Sequence, residues 1–140
     1  MSTYFKLEEF LTSSIARQKS IENMPSWDVV EHLNELALFL DQLRKDWGSG
    51  INVTSGFRNQ KLNDAVGGAK ASAHKSGYAA DLQPSKKPMS EFKAFVQKWV
   101  QDKDFDQCII EKNTKGAEWI HLALYGEGKK QRHEVFKLSV

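Results

Sequence analysis

Two short stretches of the chain carry side chains that could hold a metal and move a proton. Ser72-Ala73-His74-Lys75-Ser76-Gly77-Tyr78-Ala79-Ala80-Asp81 places an imidazole and a carboxylate seven positions apart around a glycine. Glu118-Trp119-Ile120-His121 places a second carboxylate three residues before a second imidazole. A catalytic zinc usually takes three protein ligands and keeps a fourth position for water, and imidazole and carboxylate both suit it. His74, Asp81 and His121 supply that number. Such an ion draws the pKa of its water from about 15.7 toward about 7, and a carboxylate within reach can take the proton as the water attacks a carbonyl. Glu118 is placed in sequence to be that base. On spacing alone, surface carboxylates and turn histidines are the favoured reading. Against that reading, His121 sits inside the apolar run Trp119-Ile120-His121-Leu122-Ala123-Leu124, where an unpaired imidazole is costly to bury.

The elements that must position these groups can be read in order. Phe5, Leu7, Phe10 and Leu11 form an apolar arm packed on the core. From Ser26, the residues Val29, Val30, Leu33, Leu36, Ala37, Leu40 and Leu43 recur at helical spacing, with Pro25 and Ser26 suited to the start and Gly48-Ser49-Gly50 stopping the helix after Trp47. His32 lies on or beside that apolar face and is left out of the site, since a lone helical histidine is usually a packed or solvated residue. Ile51–Thr54 reads as a strand, Asn59–Val66 as a short helix ended by Gly67-Gly68, and Tyr78–Leu82 as a second strand. Phe92, Phe95, Val96, Trp99 and Val100 mark a helix over Met89–Val100. Strands follow over Phe105–Glu111, Glu118–Tyr125 and Val135–Leu138, the first two joined by the turn composition Lys112-Asn113-Thr114-Lys115-Gly116. Helices followed by clustered strands predict an α+β fold with a mainly antiparallel sheet and helices packed against it.

The chain has 140 residues with 40% hydrophobic content, which suits a single domain over residues 1–140. Its 20 basic and 18 acidic residues are spread without long runs, so dedicated nucleic-acid binding is not expected. No stretch approaches membrane-spanning length, so no membrane insertion is expected. Acidic residues interrupt the N-terminal stretch where a secretory signal would need an apolar segment. The expectation is synthesis and folding in the cytoplasm. The one cysteine, Cys108, lies in an apolar run and reads as a small core residue.

With these residues in hand, a family resemblance emerges. Ser72-x-His74-x-x-Gly77-x-Ala79-x-Asp81 resembles the Ser-x-His-x-x-Gly-x-Ala-x-Asp signature of the D-alanyl-D-alanine carboxypeptidase and dipeptidase family of zinc peptidases, and Glu118-Trp119-Ile120-His121 resembles its second motif. That family includes vancomycin-resistance dipeptidases and phage L-alanyl-D-glutamate endolysins, and shares its fold with the zinc domain of hedgehog proteins. Thr54-Ser55-Gly56-Phe57-Arg58 and Leu62-Asn63-x-x-Val66-Gly67-Gly68 are similar to the lead-in of its small single-domain members. The resemblance implies that His74, Asp81 and His121 bind zinc and that Glu118 acts as general base, then general acid. It implies that Arg58 steadies the oxyanion, and that Ser72 hydrogen-bonds substrate or orients His74.

Residues three apart in a regular strand face opposite sides, so this role requires Glu118 to lie in a turn or bulge before the strand. Glu111, at the end of the apolar strand before the turn, is the alternative base; the family motif favours Glu118. The implied substrate is the peptide stem of bacterial peptidoglycan, cut by a monomer. A phage endolysin released by a holin and a cytoplasmic recycling enzyme both fit. A non-catalytic wall- or protein-binding module that keeps the fold is the alternative.

Overall fold

Ser26 and Gly48 bound the longest element. The Ser26 hydroxyl accepts from the Val29 N–H at 3.3 Å, capping the first turn, and Gly48 closes the last turn in a left-handed conformation. The computed structural model describes residues 2–126 and 129–140. Two short helices, α1 (Leu7–Leu11) and α2 (Ser14–Gln18), form the N-terminal arm, followed by α3 (Trp27–Trp47). Then come β1 (Ile51–Ser55), α4 (Gln60–Ala65), a 3₁₀ turn over Ala73–Ser76, β2 (Ala79–Pro84) and α5 (Met89–Trp99). The chain ends with β3 (Gln107–Lys112), β4 (Glu118–Ala123) and β5 (Glu134–Ser139).

The strands form one sheet in the order β1-β2-β4-β3-β5. All pairings are antiparallel except β3 with β5, which is parallel. The α+β fold with a mostly antiparallel sheet is thus observed, and the parallel edge is its one departure. Its cause is local: β4 ends beside the start of β3, and the chain enters β5 at that same end, where the Glu134 N–H donates to the Asp106 carbonyl at 2.9 Å.

Strand alternation divides the sheet into two faces. Ala80, Leu82, Cys108, Ile110, Ile120 and Leu122 enter the core, where they meet Leu33, Leu36 and Leu40 of α3 and Phe92 and Val96 of α5. Their intervening neighbours Asp81, Ile109, Glu111, Trp119 and His121 line a cleft on the opposite face. Cys108 is fully buried, and desolvation pushes its thiol up to about 12. Among the described residues, no helix is long and apolar enough to cross a membrane.

Candidate functional site

The first wall of the cleft is assembled by backbone contacts between segments distant in sequence. After β1, the Phe57 N–H donates to the Phe10 carbonyl at 2.7 Å, drawing the chain against the N-terminal arm. A Cβ on Gly56 would stand 2.5 Å from that carbonyl oxygen, so only glycine allows the approach. The Gly56 carbonyl accepts the Nδ1–H of His74 at 2.7 Å, and the Arg58 N–H donates to the His74 carbonyl at 3.1 Å. Ser72 caps the 3₁₀ turn, its Oγ accepting from the His74 N–H at 3.2 Å. Gly77 ends the turn at φ +82°, where an added Cβ would meet the Val29 carbonyl oxygen at 3.0 Å. The turn hands the chain to β2, which carries Asp81.

Asp81 and His121 are register partners across β2 and β4. His74 Nε2 lies 3.2 Å from Asp81 Oδ1 and 3.2 Å from His121 Nδ1, and His121 Nδ1 lies 3.3 Å from Asp81 Oδ1. A tetrahedral ion with ligand arms of about 2.0–2.1 Å sets its donor atoms about 3.3–3.4 Å apart, close to this triangle.

The protonation states point the same way. Burial lowers the His74 pKa and keeps its ring neutral. Because Nδ1 gives its hydrogen to Gly56, Nε2 presents a lone pair. Burial alone would raise the Asp81 pKa, but its contacts with the two imidazoles hold it well below the usual carboxylate range. With that ring neutral, the 3.2 Å contact between His74 Nε2 and Asp81 Oδ1 sets two lone pairs against each other, and only a positive charge, on Nε2 or between the two groups, makes the pairing and the low Asp81 pKa favourable. A cation at the centre of the triangle resolves that conflict, and these three residues form the group that could hold a metal ion.

Arg58 and Ser72 reach the same cleft. Burial lowers the Arg58 pKa, with Asp81 and Glu111 opposing, yet a guanidinium keeps its charge at neutral pH. Its Nη2 donates to Ser72 Oγ at 3.5 Å, while its buried Nε–H has no acceptor among the described residues.

The two glutamates part company. Strand β4 is regular from Glu118 onward, with Lys112 opposite Glu118 and Ile109 opposite His121, so the turn or bulge needed to aim Glu118 at the cluster is absent. Glu118 instead faces the helix side and pairs with Lys93 of α5 at 2.9 Å. Glu111 occupies the cleft face. Its Oε1 is 3.9 Å from His121 Nδ1, and its Oε2 accepts the Trp119 indole N–H at 3.1 Å. Desolvation, then the charge of Asp81, raises its pKa. Trp119 escaped the sequence reading, although its position two residues before His121 on one strand already put both on the same face.

Arg58, Ser72, His74, Asp81, Glu111, Trp119 and His121 share one open cleft of about 1450 Å³, whose lining excludes Glu118. A family model described as peptidase M15 matches residues 3–123, a span that contains all of them. The chain belongs to the peptidase M15 family. No curated protein matches it. The conformations that place the peptidase's Arg58, Ser72, His74, Asp81, Glu111 and His121 around the cleft thus fall within the matched span, whereas β5 lies beyond it.

Proposed function

We propose that this protein is a zinc-dependent peptidase that hydrolyses an amide bond in the peptide stem of bacterial peptidoglycan, acting as a single-domain monomer. The observation that carries the proposal is the triangle of His74, Asp81 and His121 with Glu111 and Arg58 beside it in one cleft. The family match supports peptide hydrolysis, and the resemblance of Ser72–Asp81 to the signature of wall-directed peptidases supports the stem-peptide substrate.

His74, Asp81 and His121 would hold the zinc. When bound, zinc supplies Lewis acidity that lowers the pKa of water and polarises a carbonyl. Glu111 takes the proton of the attacking water at Oε1, the oxygen left free by Trp119, and returns it to the leaving amine as the C–N bond breaks. Burial makes its carboxylate a stronger proton acceptor than an exposed one. Arg58 supplies a fixed positive charge for the negative charge that develops on the carbonyl oxygen, and its Nε–H has no acceptor among the described residues. Ser72 fixes the turn that carries His74. Glu118, engaged with Lys93 on the opposite face, takes no part in proton transfer.

The test is mass spectrometry of fragments released from purified muropeptides, with and without chelator, on protein of measured metal content. The expected result is about one zinc per chain, cleavage at one bond whose identity the fragment masses give, and loss of cleavage on chelation. Hydrolysis that survives chelation, or binding of the wall without release of an amine, would overturn the proposal.

A further inference from the structure

One wall of the cleft lies beyond the span matched by the family and carries a cation with no ion-pair partner among the described residues. The segment between β4 and β5 contributes Tyr125, Lys129 and Arg132 to the lining. Asp106 fastens this segment. Its side chain is 2% exposed, and it accepts from Arg132 Nε at 2.9 Å, from Arg132 Nη2 at 2.8 Å and from the Arg132 backbone N–H at 3.1 Å. Its backbone N–H donates to the carbonyl of Ala123, the last residue of β4, and its carbonyl accepts from Glu134, the first of β5. The guanidinium held in this way lies 4.6 Å from the centre of the Tyr125 ring, and the Lys129 ammonium lies 5.0 Å from the same centre.

Two cations drawn to one ring repel each other, and Asp106 offsets only Arg132. Among the described residues, Lys129 has no ion-pair partner. Arg132 remains reachable, with 46% of its side chain exposed. Elsewhere the lining is mixed: α3 contributes Asp28 and Glu31, and the stretch before β2 contributes Lys70 and Lys75, whose ammonium donates to the Lys70 carbonyl. An anionic group entering the cleft is attracted to the β4–β5 segment and repelled from α3.

We infer that Lys129 and Arg132 form a subsite for a free carboxylate of the peptide substrate and so set which way the peptide lies across the His74–Asp81–His121 cluster. Lys129 supplies the point charge, Arg132 supplies a guanidinium pre-positioned by a buried partner, and Tyr125 supplies the apolar floor. This rests on the peptidase reading above.

The probes are the pentapeptide L-Ala-γ-D-Glu-L-Lys-D-Ala-D-Ala and the same peptide with both carboxylates converted to carboxamides. Wild-type protein should favour the acid by about tenfold in KM, a preference that Lys129→Arg preserves and Lys129→Gln erases. Equal KM values for the two peptides in the wild type, an unchanged preference in Lys129→Gln, or a preference erased by Lys70→Gln on another part of the lining would each overturn the inference. If neither peptide is cleaved, the peptidase reading fails by itself. The same acid-to-amide ratio, read as Kd by calorimetry on wild type and Lys129→Gln, then decides the subsite.

Discussion

The Ser72–Asp81 segment and the β3–β4 hairpin each bring a histidine to the same point, but they are built by different rules. The first is a local device. Ser72 caps the turn, Gly77 ends it, and the order of residues translates directly into the positions of His74 and Asp81. The hairpin works by register, so neighbours in sequence are separated and distant residues are joined. Glu118 is three residues from His121 and faces the other side of the sheet, whereas Glu111 on the partner strand shares its face. A motif in a turn therefore reports which residues meet, and a motif in a strand reports which residues alternate.

That contrast can be broken most severely at the proposed ligands. His74→Ala and His121→Ala should fall together, from about one metal per chain to near none by elemental analysis, with turnover reduced at least about a thousandfold. Full metal occupancy in either variant would separate the two halves. The sharpest comparison uses the two glutamates. Glu111→Gln should lower kcat by about a hundredfold to ten-thousandfold with metal retained, and Glu118→Gln, which removes an ion pair with Lys93, should change it by less than about twofold. The reverse ranking in steady-state assays would return the base to β4.

Smaller effects probe the supports of each half. Gly77→Ala forces a side chain into a positive-φ position against Val29 and should cost about 1–3 kcal/mol, read as a lower urea midpoint with an unchanged slope. An unaltered midpoint would mean that α3 does not hold the turn. Trp119→Phe leaves Glu111 without its indole donor and should reduce kcat by about threefold to tenfold with little change in KM. A change confined to KM would make Trp119 a substrate contact instead of a support for the base.

Much of this architecture was legible because burial imposes periodicity. Leu33, Leu36, Leu40 and Leu43 repeat at helical spacing because one face of α3 packs on the sheet, and Ser26 and Gly48 marked its ends through capping chemistry. The triad was legible because His74 and Asp81 flank a turn and His121 interrupts an apolar strand. The proposed base was not, because its placement depends on pairing. Counting outward from the turn, with Lys112 opposite Glu118, sets Glu111 opposite Trp119 on the face of His121, and that count needs the register of the turn, which composition does not fix. The parallel β5 was equally hidden. It follows from the ends of β4 and β3 lying side by side, where Asp106 receives the returning chain.

The burial of Cys108 has a practical consequence for probing the cleft. With a thiol pushed up to about 12 and no exposed surface, it offers almost no thiolate to alkylating reagents in the folded protein. A cysteine introduced at the cleft rim, for instance at Ala71, would then be the one site that takes a maleimide dye, with the native sequence otherwise intact. Arrival of a peptide could be followed by fluorescence on an unaltered His74–Asp81–His121 cluster, without first replacing a residue of the core.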